Sequence, residues 1–267
     1  MAMRSEDIVT KTVSVYTPAY VRMDLHSDGT GDFSLDDKAG WAWYGGNDEF
    51  LLGMLRVGSS RGGLYTKFRK ELQDSNIKKE MIAEAIEKSI EKNPSDGLYH
   101  ILGDNSSYLG FGLPEELIDE EDNIKECLEE TGLPEEMAED IAGEIRDIAL
   151  WKTPSSQDIF NKLEKELAKD VSPLVGEKKE WKEFVKDAID VCMKKEDTAG
   201  DFMDCVIDEL LPLKEEGISL ILSEHDIAAY NALSKVAKDR RVLSDIATRF
   251  GRGKIDVRTI ERCITNA

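Results

Sequence analysis

The feature that most constrains the fold is a helical periodicity that runs almost without interruption from residue 112 onward. Its first part is strongly acidic, with fifteen Asp or Glu residues and only two cations between Leu113 and Leu150. Three further helix-length segments between residues 155 and 211 repeat apolar residues every three or four positions. This pattern predicts an acidic, antiparallel helical bundle over residues 112–216.

The N-terminal segment has a different pattern. Residues 7 to about 44 are rich in β-branched and aromatic residues that alternate with polar ones, and turn residues divide the segment. We expect a small antiparallel β-meander there, and helices again after Gly46. The predicted fold is therefore α+β, mostly α, with an α/β domain at residues 1–111, the acidic bundle, and a basic C-terminal domain at 217–267.

Two loops invite sharper interpretations. The segment from His26 to Asp37 loosely follows a calcium-binding loop, but a histidine begins it, an aspartate closes it, and strand-like segments flank it. Gly58–Gly63 is rich in glycine but lacks the Gly-Lys-Ser/Thr ending of a phosphate loop. We interpret the first as a hairpin turn with solvated carboxylates and the second as a plain loop, so no metal or cofactor is predicted.

The cysteines and histidines do not form a recognisable catalytic or metal motif. The four cysteines are scattered without a Cys-x-x-Cys pair, so we expect reduced, mostly buried thiols. The three histidines lie in unrelated contexts, which favours a non-enzymatic protein. Because no apolar leader or run of eighteen apolar residues occurs, we expect a cytoplasmic protein without membrane contact.

The C-terminal segment predicts three helices, the first with an inner stripe of Ile227, Tyr230, Leu233 and Ala237. In the next part, Ser244–Gly251, a small alanine stands where two helices would touch, and a glycine follows four residues later at the turn. Ile255–Ile264 then begins with an apolar residue and a polar residue that can cap a helix. It continues with the pattern threonine, apolar residue, any residue, arginine. These motifs resemble the helix-turn-helix family of DNA-binding proteins over about 45 residues, with a longer turn than the classical one and no β-wing after it.

Charge sets this segment apart from the rest of the chain. From Asn231 to the end there are nine basic and four acidic residues, a surplus of five positive charges, whereas the whole chain carries −20. A protein with this net negative charge repels phosphate at long range, so any nucleic-acid contact must be confined to the basic segment. The resemblance implies base contacts from the exposed face of the last helix, by Arg258, Thr259 and Arg262. The implied phosphate contacts lie around the turn and before the second helix, at Arg249, Arg252, Lys254 and Arg241.

These observations leave two hypotheses for function. The first is a DNA-binding, transcription-regulatory protein that acts on double-stranded DNA as a homodimer, since one such module buries little surface. The second is a non-enzymatic adaptor or complex subunit whose acidic helices bind a basic protein partner. In a related alternative, the C-terminal arginines dock on the acidic helices of their own chain rather than on DNA.

Overall fold

The computed structural model describes residues 9–16, 19–26, 29–37, 42–45, 49–103 and 115–266. Most of the described residues are helical, as predicted. The strands lie at the N-terminus: β1 Val9–Tyr16, β2 Ala19–His26, β3 Gly31–Asp37 and β4 Ala42–Gly45. They pair antiparallel in chain order, with Leu25 opposite Gly31 where the chain turns from β2 to β3.

The helices follow the strands in two described stretches. Before residue 103 they are α1 Phe50–Ser60, α2 Gly63–Asp74, α3 Lys79–Lys92 and α4 Leu98–Ile101. From residue 115 they are α5 Glu115–Glu130, α6 Glu135–Lys152, α7 Ser156–Leu167, α8 Ser172–Val175, α9 Trp181–Lys195, α10 Ala199–Leu210, α11 Leu213–Lys238, α12 Arg240–Arg249 and α13 Val257–Asn266.

The chain forms two compact units, and each contains two separate stretches of sequence. Unit 1 comprises residues 1–104 and 162–220, and unit 2 comprises residues 105–161 and 221–267. This division differs from the three consecutive domains expected from the sequence. The C-terminal helices and the acidic helices α5 and α6 belong to the same unit.

Unit 1 packs aromatic side chains and one buried carboxylate around α1. Phe33 of β3 makes edge-to-face contacts with Phe50 and Phe68. Asp96, which is fully buried, accepts hydrogen bonds from the backbone N–H groups of Leu51 and Leu52, each at 3.0 Å. The carboxylate thereby satisfies two of the N–H groups that a helix leaves unpaired at its first turn.

Unit 2 has one hydrophobic core to which the acidic and the basic helices both contribute. From α5 and α6 it receives Ile124, Leu128, Ile141 and Ile145, and the C-terminal helices add residues including Val236 and Leu243. Two ten-residue helices such as α12 and α13 have too little apolar surface to form a core alone. They bury their apolar stripes against α5 and α6 instead, which explains why residues 221–267 share a unit with those helices rather than forming a domain of their own.

Helix α11 differs from the sequence-based expectation in two ways. First, residues 213–217 form its opening turns, so the helix runs through the domain boundary expected between residues 216 and 217. The Gly217 backbone lies against the carbonyl oxygen of Ile101, so the missing Cβ permits a close approach and does not break the helix. Second, Ile227 and Tyr230, predicted to face inward, are 51 % and 56 % exposed. The helix buries Ala229, Ala232, Leu233, Val236 and Ala237.

The prediction of reduced thiols is wrong, because the cysteines form two disulfides. Cys127 of α5 is bonded to Cys263 of α13, and Cys192 of α9 to Cys205 of α10, with Cα–Cα distances of 5.5 and 5.7 Å. Disulfides persist mainly in oxidising compartments, so they weigh against the expected cytoplasmic location. Among the described helices, none has both the length and the apolar composition that crossing a bilayer requires.

The segment from His26 to Asp37, which loosely follows a calcium-binding loop, forms a hairpin turn in its described residues. Gly29 adopts a φ of 82°, and the His26 N–H donates to the Thr30 carbonyl at 2.8 Å. Gly31, which would occupy the bend of a calcium loop, begins β3 instead. Within the described part of the chain, no three His, Cys, Asp or Glu residues are grouped so as to hold a metal ion.

Candidate nucleic-acid interface

The turn between α12 and α13 depends on a close contact between two small residues. A Cβ on Gly251 would lie 2.6 Å from the carbonyl oxygen of Ala247 and would also collide with the side chain of Ile255. Only glycine therefore fits at this position. Ala247 and Gly251, which carry the helix-turn-helix resemblance, thus lie close together at the end of α12.

The rest of the turn is tight and exposes its cations. The Lys254 N–H donates to the Gly251 carbonyl at 2.7 Å. Arg252 and Gly253 both have positive φ, 45° and 78°, and a non-glycine residue in that region carries strain. The side chains of Arg252 and Lys254 are exposed at the N-terminal end of α13.

Asp256 caps α13, as the sequence predicted. Its Oδ1 accepts a hydrogen bond from the Thr259 N–H at 2.9 Å. The backbone hydrogen bond from Thr259 lowers the pKa of Asp256 below its usual range, so the cap is charged at neutral pH. The Thr259 side chain also hydrogen-bonds this carboxylate and is only half-exposed, which makes Thr259 a poorer candidate for base contact than its neighbours.

Helix α13 presents two arginines on the side opposite its buried residues. Ile260, Cys263 and Ile264 are buried in the core of unit 2. Arg258 and Arg262 are exposed and stand four residues apart, so they lie one above the other on the outer face. Neither forms an ion pair within the described residues.

Among the described residues, Arg249 is the one predicted phosphate-contacting residue with acidic partners at salt-bridge distance. Its Nη1 lies 3.0 Å from Oε1 of Glu144 on α6 and 3.2 Å from Oδ2 of Asp245. The guanidinium also sits 4.9 Å from the centre of the Phe250 ring, and the hydrogen bond with Asp245 raises its pKa. Arg249 therefore docks on an acidic helix of its own chain, as the alternative to DNA binding predicts. The sequence did not single out Glu144 as its partner.

A second ion pair joins the same two helices. Nζ of Lys152, in the last turn of α6, lies 3.7 Å from Oδ2 of Asp239. Asp239 also caps α12 by accepting from the N–H groups of Arg241 and Val242, and the bond from Val242 lowers its pKa. Arg241 itself projects from the first turn of α12 with its side chain exposed.

Most of the predicted cationic contact residues are thus not neutralised by the acidic helices. Apart from Arg249, the predicted contact residues of α12, α13 and the turn have no acidic partner within salt-bridge distance among the described residues. The covalent bond between Cys127 and Cys263 holds α13 against α5. A disulfide-fixed helix with two exposed arginines is suited to contact a polyanion.

No protein-family model, curated protein or solved structure matches the chain. The likeness to the helix-turn-helix family therefore depends on the residues of α12, the turn and α13.

Proposed function

We propose that the protein binds double-stranded DNA through α13 and the α12–α13 turn, in a transcription-regulatory role and without enzymatic activity. The observation that carries the proposal is the pair Arg258 and Arg262, which are exposed one helical turn apart and form no salt bridge among the described residues. A guanidinium donates two parallel hydrogen bonds to the O6 and N7 atoms of guanine in the major groove. Two arginines on one helical face match that kind of contact.

The remaining cations suit contact with phosphates. Arg252 and Lys254 flank the N-terminus of α13, and Arg241 lies in the first turn of α12. Phosphate contacts fix the position of a protein on the duplex but carry no sequence information. Arg249 would need to leave Glu144 to join them, so we expect it to contribute less than the other three.

The negative charge of the remaining chain restricts how DNA approaches. The whole chain carries −20, whereas the segment from Asn231 to the end has a surplus of five positive charges. Long-range repulsion from the acidic helices opposes the attraction of the basic surface. We therefore propose an interface confined to the C-terminal helices and sensitive to ionic strength.

The proposal predicts that removing the two arginines of α13 weakens DNA binding. The Arg258→Ala/Arg262→Ala variant should bind a fluorescent DNA library about tenfold or more weakly in anisotropy titrations at low salt, since each bidentate arginine contributes about 1–3 kcal/mol. A matched control is Lys67→Ala/Lys70→Ala, which removes two exposed cations from α2. The control should bind like the unaltered protein, and equal affinity in all three proteins would contradict the proposal.

One observation favours the adaptor hypothesis as a second candidate. The acidic helices keep exposed carboxylates that form no salt bridge within the described residues: Glu129, Glu130, Glu136, Glu139 and Asp140. Such a surface attracts a basic protein partner. Stoichiometric co-purification of a basic protein, lost in a Glu136→Gln/Glu139→Gln/Asp140→Asn variant and accompanied by no DNA affinity at low salt, would favour this function over the first.

A further inference from the structure

Helix α11 leaves apolar side chains uncovered on the face opposite its buried residues. Ile227 and Tyr230 are more than half exposed, and they share a stripe with Ser234 and Lys238 at spacings of three, four and four residues. Two large apolar side chains exposed one turn apart often mark a surface that contacts another protein. The exposed stripe is therefore a surface without a visible partner in the described chain.

This stripe borders a groove between α11 and α13. The groove has a volume of about 330 Å³ and is lined by residues that include Tyr230, Leu233, Ala237, Lys238, Glu261 and Ile264. Its two charged side chains have opposite signs and form no ion pair with each other. The groove therefore carries no net charge in a protein whose total is −20.

We propose that the α11–α13 groove, together with Ile227, is the interface of a twofold-symmetric homodimer. In such an interface both protomers use the same surface patch. Each contact between two residues therefore occurs twice, once in each direction between the protomers. Lys238 of one protomer would then face Glu261 of the other, and Tyr230 would enter the partner's groove. A strongly charged partner would not be attracted here, because the groove has no excess of either charge. Two copies of this acidic chain, in contrast, can only approach closely through a surface without net charge.

The charge of the protomers gives this dimer an unusual salt dependence. Two bodies of −20 repel each other, and added salt screens that repulsion while leaving apolar contact in place. Dimerisation should therefore strengthen with salt, whereas DNA binding weakens. The groove shares α13 with the proposed DNA contact, but sedimentation without DNA measures the dimer by itself, so failure of the dimer and failure of DNA binding are distinguishable.

The test is sedimentation equilibrium of the full chain at about 50 mM and about 500 mM NaCl, an ionic-strength range over which charge screening changes strongly. Ile227→Glu should weaken dimerisation about tenfold or more, because it buries a charge without a partner. Val191→Glu on α9 is the matched control, since Val191 is 50 % exposed and Ile227 51 %. A monomer at every concentration, or equal dimer affinity for both variants, would overturn the proposal.

A charge exchange tests the symmetry itself. Lys238→Glu and Glu261→Lys should each weaken the dimer, because each places like charges opposite one another in both copies of the pair. Combining the two changes restores the pairing and should recover most of the affinity. If the double variant is as weak as the single ones, or if the single changes have no effect, the twofold arrangement is wrong.

Discussion

At the scale of single residues, the contacts that build the candidate interface are set by side-chain size and by capping. Gly251 fits against the backbone carbonyl of Ala247 because it has no Cβ, and Asp256 begins α13 because its carboxylate accepts the Thr259 N–H. Both features act over a few residues, and the sequence predicted both. Arg249 shows the limit, since its pairing with Glu144 joins residues that are 105 positions apart.

Gly251 provides a prediction at this scale. Gly251→Ala should destabilise unit 2 by about 1–3 kcal/mol, because the new methyl group must displace the Ala247 carbonyl or Ile255. Gly143→Ala in α6 is the matched control, since its Cβ would meet only Glu121 Oε1 at 3.5 Å. That change should stabilise the helix by about 0.5–1 kcal/mol. Urea denaturation followed by circular dichroism measures both, and an unchanged midpoint for Gly251→Ala would show that the turn is loose.

At the scale of elements, periodicity predicted most helices but not how each one is buried. The expected stripe of Ile227, Tyr230, Leu233 and Ala237 has helical spacing, yet α11 buries Leu233 and Ala237 and exposes the other two. Helical spacing identifies the residues that share a face, but neighbouring elements decide which face is covered. Alanines at 229 and 232 occupy the buried side because small residues permit close packing.

The disulfides were not predictable for a related reason. Cys127 and Cys263 are 136 residues apart, and their proximity depends on α13 packing against α5. Spacing along the chain gives no sign of that contact. The shorter pair, Cys192 and Cys205, joins α9 to α10 across 13 residues and also depends on how those two helices pack.

The two disulfides should differ in their effect on stability. Replacing both cysteines by alanine should cost about 5 kcal/mol for Cys127–Cys263 and about 3 kcal/mol for Cys192–Cys205, since closing the longer loop removes more entropy from the unfolded chain. Each double variant controls for the other because both make the same chemical change. Denaturation midpoints under non-reducing conditions provide the measurement, and a larger loss for the shorter loop would contradict this explanation.

At the scale of the whole molecule, negative and positive charges are concentrated in different segments of the chain, although these segments fold together. The basic C-terminal helices share a core with the acidic helices α5 and α6, yet among the described residues only Arg249 and Lys152 form ion pairs that link α6 to α12 or its capping residue. Composition predicted this division of charge, and periodicity predicted a mostly helical chain. Neither gave a sign that apolar contacts and a disulfide would hold the two kinds of helix together.

The most direct test of the proposed DNA contact is the dependence of binding on salt. Each phosphate neutralised by a cation releases counterions, so the logarithm of the association constant should fall linearly with the logarithm of salt concentration. With Arg241, Arg252 and Lys254 at phosphates, the expected slope is about −3 per protomer. Anisotropy titrations of the unaltered protein across a salt series measure it. A steep negative slope would support DNA binding through these cations, and a slope near zero, or no binding at low salt, would contradict it.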